Sequence, residues 1–330
     1  MQIGCAFAAG FEAPRQAQVA ESLGYDFIGF YDSPALGTDI WLTLAEALRA
    51  TERITVGSYV LIPSLRHPMA QASAIATLCH SAPGRLEIGM GTGFTGRRAI
   101  GQRPLSWAFM RQFIEQLRGL LEGGEVEIDG AIGRMIHPRG YAPERPIEIP
   151  LMVAANGPKG IRVARNLADG LIYGGPEEDA PSGFDRLELA LSGIPLEEGE
   201  DAASPRVIEA ERIWFTLRYH LAYDGFSSAS VESLPHGDAW LEMIERTPEA
   251  TRHLKVHDRH LVEVNEHDHE FSERYRDELE AFARTAAIPP SELSDRVERL
   301  TALGATRAMT WTIRPDWERG LRSFQPVLGD

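Results

Sequence analysis

The stretch of sequence that decides the fold runs from Leu151 to Ile172 and reads LMVAANGPKGIRVARNLADGLI. Leu151–Ala155 is an unbroken apolar run, which is typical of a strand buried on both faces of a parallel sheet. A loop of small residues follows, and apolar residues then recur at helical spacing until Gly170 ends the helix. A second apolar run begins directly after it. The order strand, tight loop, helix, strand indicates a β/α/β unit.

The loop of this unit is a candidate phosphate-binding site. We expect Asn156 to cap the helix and Pro158 to lie in its first turn. Free backbone N–H groups and the helix dipole would then both face a ligand at the start of the helix. Lys159 would add positive charge, and it is one of only two lysines in the chain, the other being Lys255. Turn geometry alone also accounts for residues of these types, so that alternative stays open.

Strand and helix signals alternate in the same way along the rest of the chain. We predict about eight strands, the seventh over Val207–Leu217 and the eighth over Arg307–Ile313, each followed by a helix or a helix-bearing segment. This alternation predicts an α/β fold of the (β/α)₈ TIM-barrel type rather than an open sheet. A bare barrel needs about 250 residues. The 330 residues therefore form one predicted domain, 1–330, with a polar helical insertion over 218–289 before the last β/α unit.

The composition narrows the range of partners and compartments. The net charge of −15 argues against nucleic acid and against anionic membrane surfaces as partners. The apolar runs fall far short of the ~20 residues of a membrane span, and the first residues enter a strand without a basic segment before it. Cys5 and Cys79 lie in apolar patterns and form neither a disulfide framework nor a metal-binding spacing. We therefore expect a cytoplasmic protein.

In a barrel of this type the active site lies where the strands end. Asp32 ends an apolar strand and is followed by Ser33, so its carboxylate is a candidate to bind a cofactor or orient a substrate. Its alternative role is to cap the following loop. Gly91, Thr92 and Gly93 follow the fourth strand and would let a ligand approach the backbone closely, although a simple turn needs the same residues.

Three histidines lie at helical spacing within the predicted insertion. His253, His257 and His260 are separated by four and three residues and would share one helical face. Histidines at this spacing could bind a metal ion, but no cysteine or conventional ligand motif accompanies them. We predict no metal here, and expect a polar helix that covers the barrel mouth and brings one histidine towards the substrate.

Three segments together resemble the bacterial-luciferase-like superfamily of flavin- and deazaflavin-dependent oxidoreductases, in particular its methylenetetrahydromethanopterin-reductase-like branch. The resemblance covers nearly the whole chain and is weakest across 218–289. The segments are YDSPALGTDIWLTLAEALRATERITVGSYVLIPSLRHPMAQASAIATL from Tyr31, GRLEIGMGTGFTGRR from Gly84, and AANGPKGIRVARNLADGLI from Ala154.

The resemblance implies a TIM barrel, a homodimer and a set of cofactor-binding positions. Asp32 matches an aspartate beside the cofactor ring, and Tyr59-Val60 matches a non-prolyl cis peptide that backs this ring. The segment after strand 4 matches positions beside the cofactor ring, which are Gly91, Thr92 and Gly93. The loop after strand 5 matches the phosphate-binding positions, which are Ala155, Asn156, Gly157, Pro158 and Lys159.

The implied activity is that of an oxidoreductase acting on a small organic substrate. The cofactor is either coenzyme F420, used for hydride transfer, or reduced FMN, used for monooxygenation with a separate flavin reductase as partner. The reductase-like branch favours F420, and so does the GC-rich genome that the use of arginine over lysine, with abundant alanine and glycine, suggests. Two other classes remain open: a barrel lyase or isomerase with Lys159 in a phosphate site, and a non-catalytic flavoprotein.

Two positions depart from the sugar-phosphate dehydrogenase branch of this superfamily. Ser33 stands where that branch has a catalytic histidine, and Phe94 stands where it has a glutamate. Oxidation of a sugar phosphate is therefore not expected. Our candidate catalytic residues are Asp32 and Ser33, at the end of strand 2.

Overall fold

The protein is described from a computed structural model over residues 1–225, 229–311 and 316–329. Eight parallel strands pair into a closed barrel, and a separate two-stranded hairpin lies outside it. The barrel order is β1-β10-β9-β8-β7-β4-β3-β2, which confirms the predicted TIM-barrel fold. The strands are β1 Gln2–Ala8, β2 Phe27–Tyr31, β3 Thr55–Leu61, β4 Leu86–Met90, β5 Val126–Ile128, β6 Ala131–Gly133, β7 Leu151–Ala154, β8 Gly170–Tyr173, β9 Leu187–Ala190 and β10 Arg307–Trp311.

The helices around the barrel bury one apolar face each against the strands. In the fifth helix Ser106 caps the N-terminus, because its Oγ accepts a hydrogen bond from the N–H of Phe109, and Gly123 ends the helix in a left-handed conformation. The helices are α1 Ala13–Leu23, α2 Ile40–Ala50, α3 Pro68–Ser81, α4 Phe94–Arg98, α5 Trp107–Glu122, α6 Pro158–Leu167, α7 Pro205–Tyr223, α8 Gly237–Glu245, α9 Arg252–Val256, α10 Glu266–Arg274, α11 Arg276–Ala286, α12 Leu293–Ala302 and α13 Trp317–Ser323.

The strand predicted over Val207–Leu217 is wrong, because these residues lie inside helix α7. Ser204 and Pro205 carry the missed signal: the Ser204 side chain caps the helix and Pro205 takes its first position. The seventh barrel strand is β9, which is only four residues long and contains the charged Glu188. A short strand with a buried charge lacks the apolar run by which strands are recognised.

The last predicted strand, Arg307–Ile313, is seen as Arg307–Trp311, and its final two residues lie outside the described ranges. The chain between β9 and α12 carries helices α7 to α11, so the predicted start of the insertion at residue 218 falls within α7. These helices enclose a hydrophobic cluster of their own around Phe215, Tyr219 and Trp240. Within the described ranges, each helix is too short or too polar to cross a membrane.

Candidate active site

A cavity of about 270 Å³ lies at the carboxyl ends of the first barrel strands. It brings together five of the residues selected from the sequence: Asp32, Ser33, Tyr59, Val60 and Gly93. The insertion closes it from above, since Trp214 of α7 and the segment 260–262 also line it. The other selected residues, which are Gly91, Thr92 and the loop from Ala155 to Lys159, do not line this cavity.

The carboxylate of Asp32 is buried and paired. One guanidinium nitrogen of Arg66, Nη1, lies 3.0 Å from both of its oxygens, and the N–H of Ile62 donates to Oδ2 at 3.1 Å. The other terminal nitrogen of Arg66 donates to Asp39, the N-cap of α2. Burial raises the pKa of Asp32, and the neighbouring guanidinium opposes this shift only in part. Asp32 therefore joins the ends of β2 and β3 while its side chain borders the cavity.

The peptide bond between Tyr59 and Val60 is cis, as the resemblance predicted. The pairing of β3 with β4 shifts register between Ser58 and Leu61, so the segment bulges at the rim of the barrel. Gly91 fits closely behind it: a Cβ added to Gly91 would lie 2.5 Å from Cγ2 of Val60. Gly91 therefore supports the wall of the cavity from behind rather than lining it.

Aromatic rings form much of the remaining wall. Trp311 lies at the end of β10. The centroid of its ring is 6.1 Å from that of Tyr59 and 5.9 Å from that of Trp214, in edge-to-face arrangements. Phe94, at the start of α4, also lines the cavity. Such a pocket, with apolar walls and a few polar groups, suits a flat organic ring.

The loop after β7 lies outside this cavity and differs in one respect from the prediction. Gly157, not Asn156, is the N-cap of α6, and the side chain of Asn156 instead accepts a hydrogen bond from the N–H of Gly174. Pro158 takes the first helical position, as expected. Gly157, Pro158 and Lys159 are exposed, and the first-turn N–H groups of α6 have no acceptor within the helix. The loop therefore keeps the chemistry needed to bind a phosphate.

Two further cavities follow the barrel rim from the aromatic wall towards this loop. One of about 880 Å³ shares Trp214 and Trp311 with the first cavity. The next, of about 650 Å³, shares Arg296 and Arg299 with the second and contains Gly174, the partner of Asn156. The loop residues from Ala155 to Lys159 line none of these three cavities, and Gly174 connects the last cavity to the loop through Asn156.

Buried histidines of the insertion lie at the first cavity, and one of them, His260, lines it. His257 and His260 are buried, and the ring of Phe94 contacts both edge-on. Nδ1 of His260 lies 2.8 Å from Nδ1 of His220. His253 is not part of this group, because α9 ends at Val256 and the three predicted histidines do not share one helical face.

Asp268 is the common partner within this buried group. Its carboxylate lies 3.0 Å from Nε2 of His220 and 3.2 Å from Nε2 of His267, and it accepts hydrogen bonds from Trp240 and Asn265. Ligand-type atoms of His220, His267 and Asp268 lie within 4.8 Å of one another, so their spacing alone would also admit a metal ion. The hydrogen-bond donors around Asp268 satisfy its charge without one.

Sequence reasoning missed Arg66, Trp214 and His220. Arg66 stands in the RHP motif of the recognised segment, one short turn beyond the end of β3, so this motif was an available signal. His220 and Trp214 carried no such signal, because each comes from a helix whose position over the barrel mouth depends on the tertiary fold.

Comparison with known proteins places this geometry in a family. A family model described as luciferase-like monooxygenase matches residues 9–211, which is more than half of the chain. The F420-dependent glucose-6-phosphate dehydrogenase of Intrasporangium calvum is 29% identical over 329 residues, covering 92% of this chain and 90% of that protein. Its counterpart in Beutenbergia cavernae is 37% identical over 143 residues, covering 40% of each chain.

The chain thus spans less than half the length of the first curated relatives that it matches. Among solved structures, the coenzyme F420 dependent tetrahydromethanopterin reductase from Methanopyrus kandleri superposes with a TM-score of 0.64 at 20% identity, covering 99% of both chains. At that identity the superposition shows a shared fold. The family match and the barrel together show that the chain belongs to the luciferase-like monooxygenase family.

Proposed function

We propose that this member of the luciferase-like monooxygenase family is an oxidoreductase that uses coenzyme F420 to transfer hydride to or from a small organic substrate. The observation that carries the proposal is the aromatic-walled cavity at the barrel mouth, which is backed by the Tyr59-Val60 peptide and closed by the insertion. The relatives named for F420-dependent activity support the choice of cofactor.

The residues that would hold the cofactor form two groups. Tyr59, Val60 and Gly93 would contact the ring, and the exposed N–H groups of the loop at Gly157 together with Lys159 would bind the phosphate. When bound, the deazaflavin supplies the hydride chemistry, whereas the protein orients the substrate and excludes water. Arg66 keeps the Asp32 carboxylate fixed at the cavity edge, where it can position a polar group of cofactor or substrate.

The cavity favours a compact, uncharged substrate over a sugar phosphate. Ser33 and Phe94 line it at the two positions where the sugar-phosphate branch is expected to have a histidine and a glutamate. Neither side chain supplies the ionisable group that the sugar-phosphate branch is expected to have at that position. We therefore propose an alcohol or carbonyl compound of small size as the substrate class.

Spectroscopic titration tests the cofactor first. The purified protein is titrated separately with F420 and with FMN, and the absorbance and fluorescence changes give the two dissociation constants. Tighter binding of F420, followed by its reduction with 2-propanol or cyclohexanol and not with glucose 6-phosphate, would support the proposal. Preference for FMN, with oxygen consumption when reduced FMN is supplied, would replace it with the monooxygenase activity, which needs a flavin reductase as partner.

Two properties of the assembly belong to the same proposal. We propose a homodimer, and support comes from large apolar side chains that are exposed in the single chain, among them Phe11, Ile136 and Tyr141. Light scattering after gel filtration would measure the mass directly. We also propose a cytoplasmic location, consistent with Cys5 and Cys79 being free thiols.

A further inference from the structure

The strongest observation outside the selected residues is an unpartnered nitrogen beside the cavity. His260 lines the cavity, yet its side chain is only 4% exposed. Its Nδ1 is hydrogen-bonded to Nδ1 of His220, and its Nε2 has no hydrogen-bond partner among the described residues. A buried polar atom normally has a hydrogen-bond partner. The free Nε2 therefore indicates a position where a substrate group would supply the missing hydrogen bond.

We propose that His260, His220 and Asp268 form a proton relay in which Nε2 of His260 exchanges the substrate proton. His260 is the catalytic residue of this set, and His220 and Asp268 are positioning residues. The inference rests on the proposed oxidoreductase function, because that function supplies the reaction in which a proton must move.

The hydrogen-bond order sets the tautomers of the relay. An ionised Asp268 only accepts, so His220 donates to it from Nε2 and its Nδ1 is left as an acceptor. Nδ1 of His260 must then donate to Nδ1 of His220 across 2.8 Å. The remaining nitrogen of His260, Nε2, is consequently a lone-pair acceptor at the cavity, as a general base requires.

The electrostatics agree with this arrangement. Burial raises the pKa of Asp268, but the neighbouring His220 and His267 lower it by a larger amount, so this carboxyl stays ionised. Burial and the neighbouring rings of His220 and His257 lower the pKa of His260 well below its ordinary value, with Asp268 opposing them. The resting His260 is therefore neutral.

The backbone presents His260 in a constrained way. Arg259 and Leu261, on either side of it, have φ values of 53° and 57° in the left-handed region. Residues with side chains seldom adopt this conformation, and such positions cluster at functional sites. Leu261 and Val262 then line the same cavity as His260.

In the oxidative direction an alcohol loses a hydride and a proton. The C–H bond of an alcohol breaks, and its electron pair leaves as hydride to the oxidised deazaflavin, which is the oxidant. The O–H bond breaks, a C=O bond forms, and the proton goes to Nε2 of His260. The Nδ1 proton of His260 can then pass to His220, which places the positive charge beside Asp268 rather than at the cavity. Reduction of a carbonyl runs the same steps in reverse.

Nitrogen NMR of the cofactor-free protein tests the relay without any turnover. With ¹⁵N-labelled histidine, the ring nitrogens of His260 should report the Nδ1–H tautomer near neutral pH, and those of His220 the Nε2–H tautomer. Asp268→Asn should change the His220 tautomer, because the amide can donate to Nε2. Asp224→Asn is the matched control, since Asp224 faces His257 and should leave His260 unchanged.

Kinetics give the second measurement, with F420 and 2-propanol as the probe. His260→Gln should lower kcat by about 10²–10⁴-fold, the usual contribution of a general acid–base, with the dissociation constant of F420 unchanged. His260→Ala, which leaves space for a base, should regain activity on addition of imidazole.

An Nε2–H tautomer of His260 in the wild-type protein would overturn the relay. Unchanged tautomers in Asp268→Asn would also overturn it. A stoichiometric metal ion that elemental analysis finds in the wild type, and that is lost when His220 and Asp268 are replaced, would do the same. Failure of F420 to bind would instead remove the proposed function, while the NMR result on the tautomers would still stand on its own.

Discussion

The Arg66 guanidinium and the Asp32 carboxylate meet at 3.0 Å through both carboxylate oxygens, at the point where strands β2 and β3 end. Asp32 is 2% exposed, so its charge is removed from water and depends on this partner. The pair also reaches α2 through Asp39. One arginine therefore ties three elements to the edge of the cavity.

Removal of the arginine should destabilise the protein in a pH-dependent way. Arg66→Gln leaves a buried carboxylate without its charge partner, and we expect a loss of about 2–4 kcal/mol in the free energy of unfolding near pH 8. Burial already raises the pKa of Asp32, and the substitution should raise it further, so the loss should shrink as the pH falls and the carboxyl becomes protonated. Urea unfolding at pH 5 and pH 8 measures both values. The double variant with Asp32→Asn should recover part of the stability, and an equal loss in the single and double variants would contradict the pairing.

The two lysines offer a matched test of the phosphate loop. Lys159→Glu places a negative charge at the exposed start of α6, and we expect binding of F420 to weaken by about 1–3 kcal/mol, roughly fivefold to 150-fold. Lys255→Glu makes the same change in α9 of the insertion and should leave the dissociation constant as it was. Fluorescence titration of both variants decides the matter. Equal affinities for wild type and Lys159→Glu would remove this lysine from the site.

Glycine at position 91 should be required by packing. Gly91→Ala would bring a Cβ to 2.5 Å from Cγ2 of Val60, and we expect a loss of about 1–3 kcal/mol as the cavity wall shifts. Gly329→Ala is the control, since nothing lies within 4 Å of an added Cβ there and its φ is outside the left-handed region. Thermal unfolding of the two variants should separate them by several degrees, and a Gly91→Ala variant as stable as wild type would argue against the tight fit.

A buried carboxyl inside the barrel should make stability depend on pH. Arg307 contacts both Glu87 and Glu188, so one positive charge faces two carboxyls. Burial raises the pKa of Glu188 to about 7 from an ordinary 4.5, with Arg307 opposing the shift. The folded state therefore holds the proton more tightly, and stability that is fully present below pH 4.5 is lost as the pH rises through about 7, on the order of 3 kcal/mol at most.

Glu188→Gln should flatten that dependence. Free energies of unfolding measured in urea at pH 5, 6.5 and 8 should fall with pH for the wild type and change less for the variant. Glu46→Gln, in an exposed pair with Arg49, is the control and should follow the wild type. The same slope in all three proteins would show that Glu188 is not the titrating group.

Local patterns in the sequence determined most of the barrel. Apolar runs of strand length and helical spacing between them are properties of neighbouring residues, and they correctly predicted the β7-α6-β8 unit and the closed parallel barrel. The resemblance added what no local pattern shows, the cis peptide at Tyr59-Val60. The seventh strand was missed because Glu188 depends on Arg307, a partner 119 residues away in the chain.

Only the tertiary structure decided how the site is completed. The Asn156 side chain could have capped α6 by its type, but it bonds the N–H of Gly174 on the neighbouring strand end instead. His220 in α7 and Asp268 in α10 are 48 residues apart in the chain, and their contact exists only because the insertion folds around its own hydrophobic cluster. A sequence determines which groups are available and where regular structure begins, because those preferences are local. Which buried polar groups become partners depends on long-range packing, since each must find a donor or acceptor wherever the fold brings one.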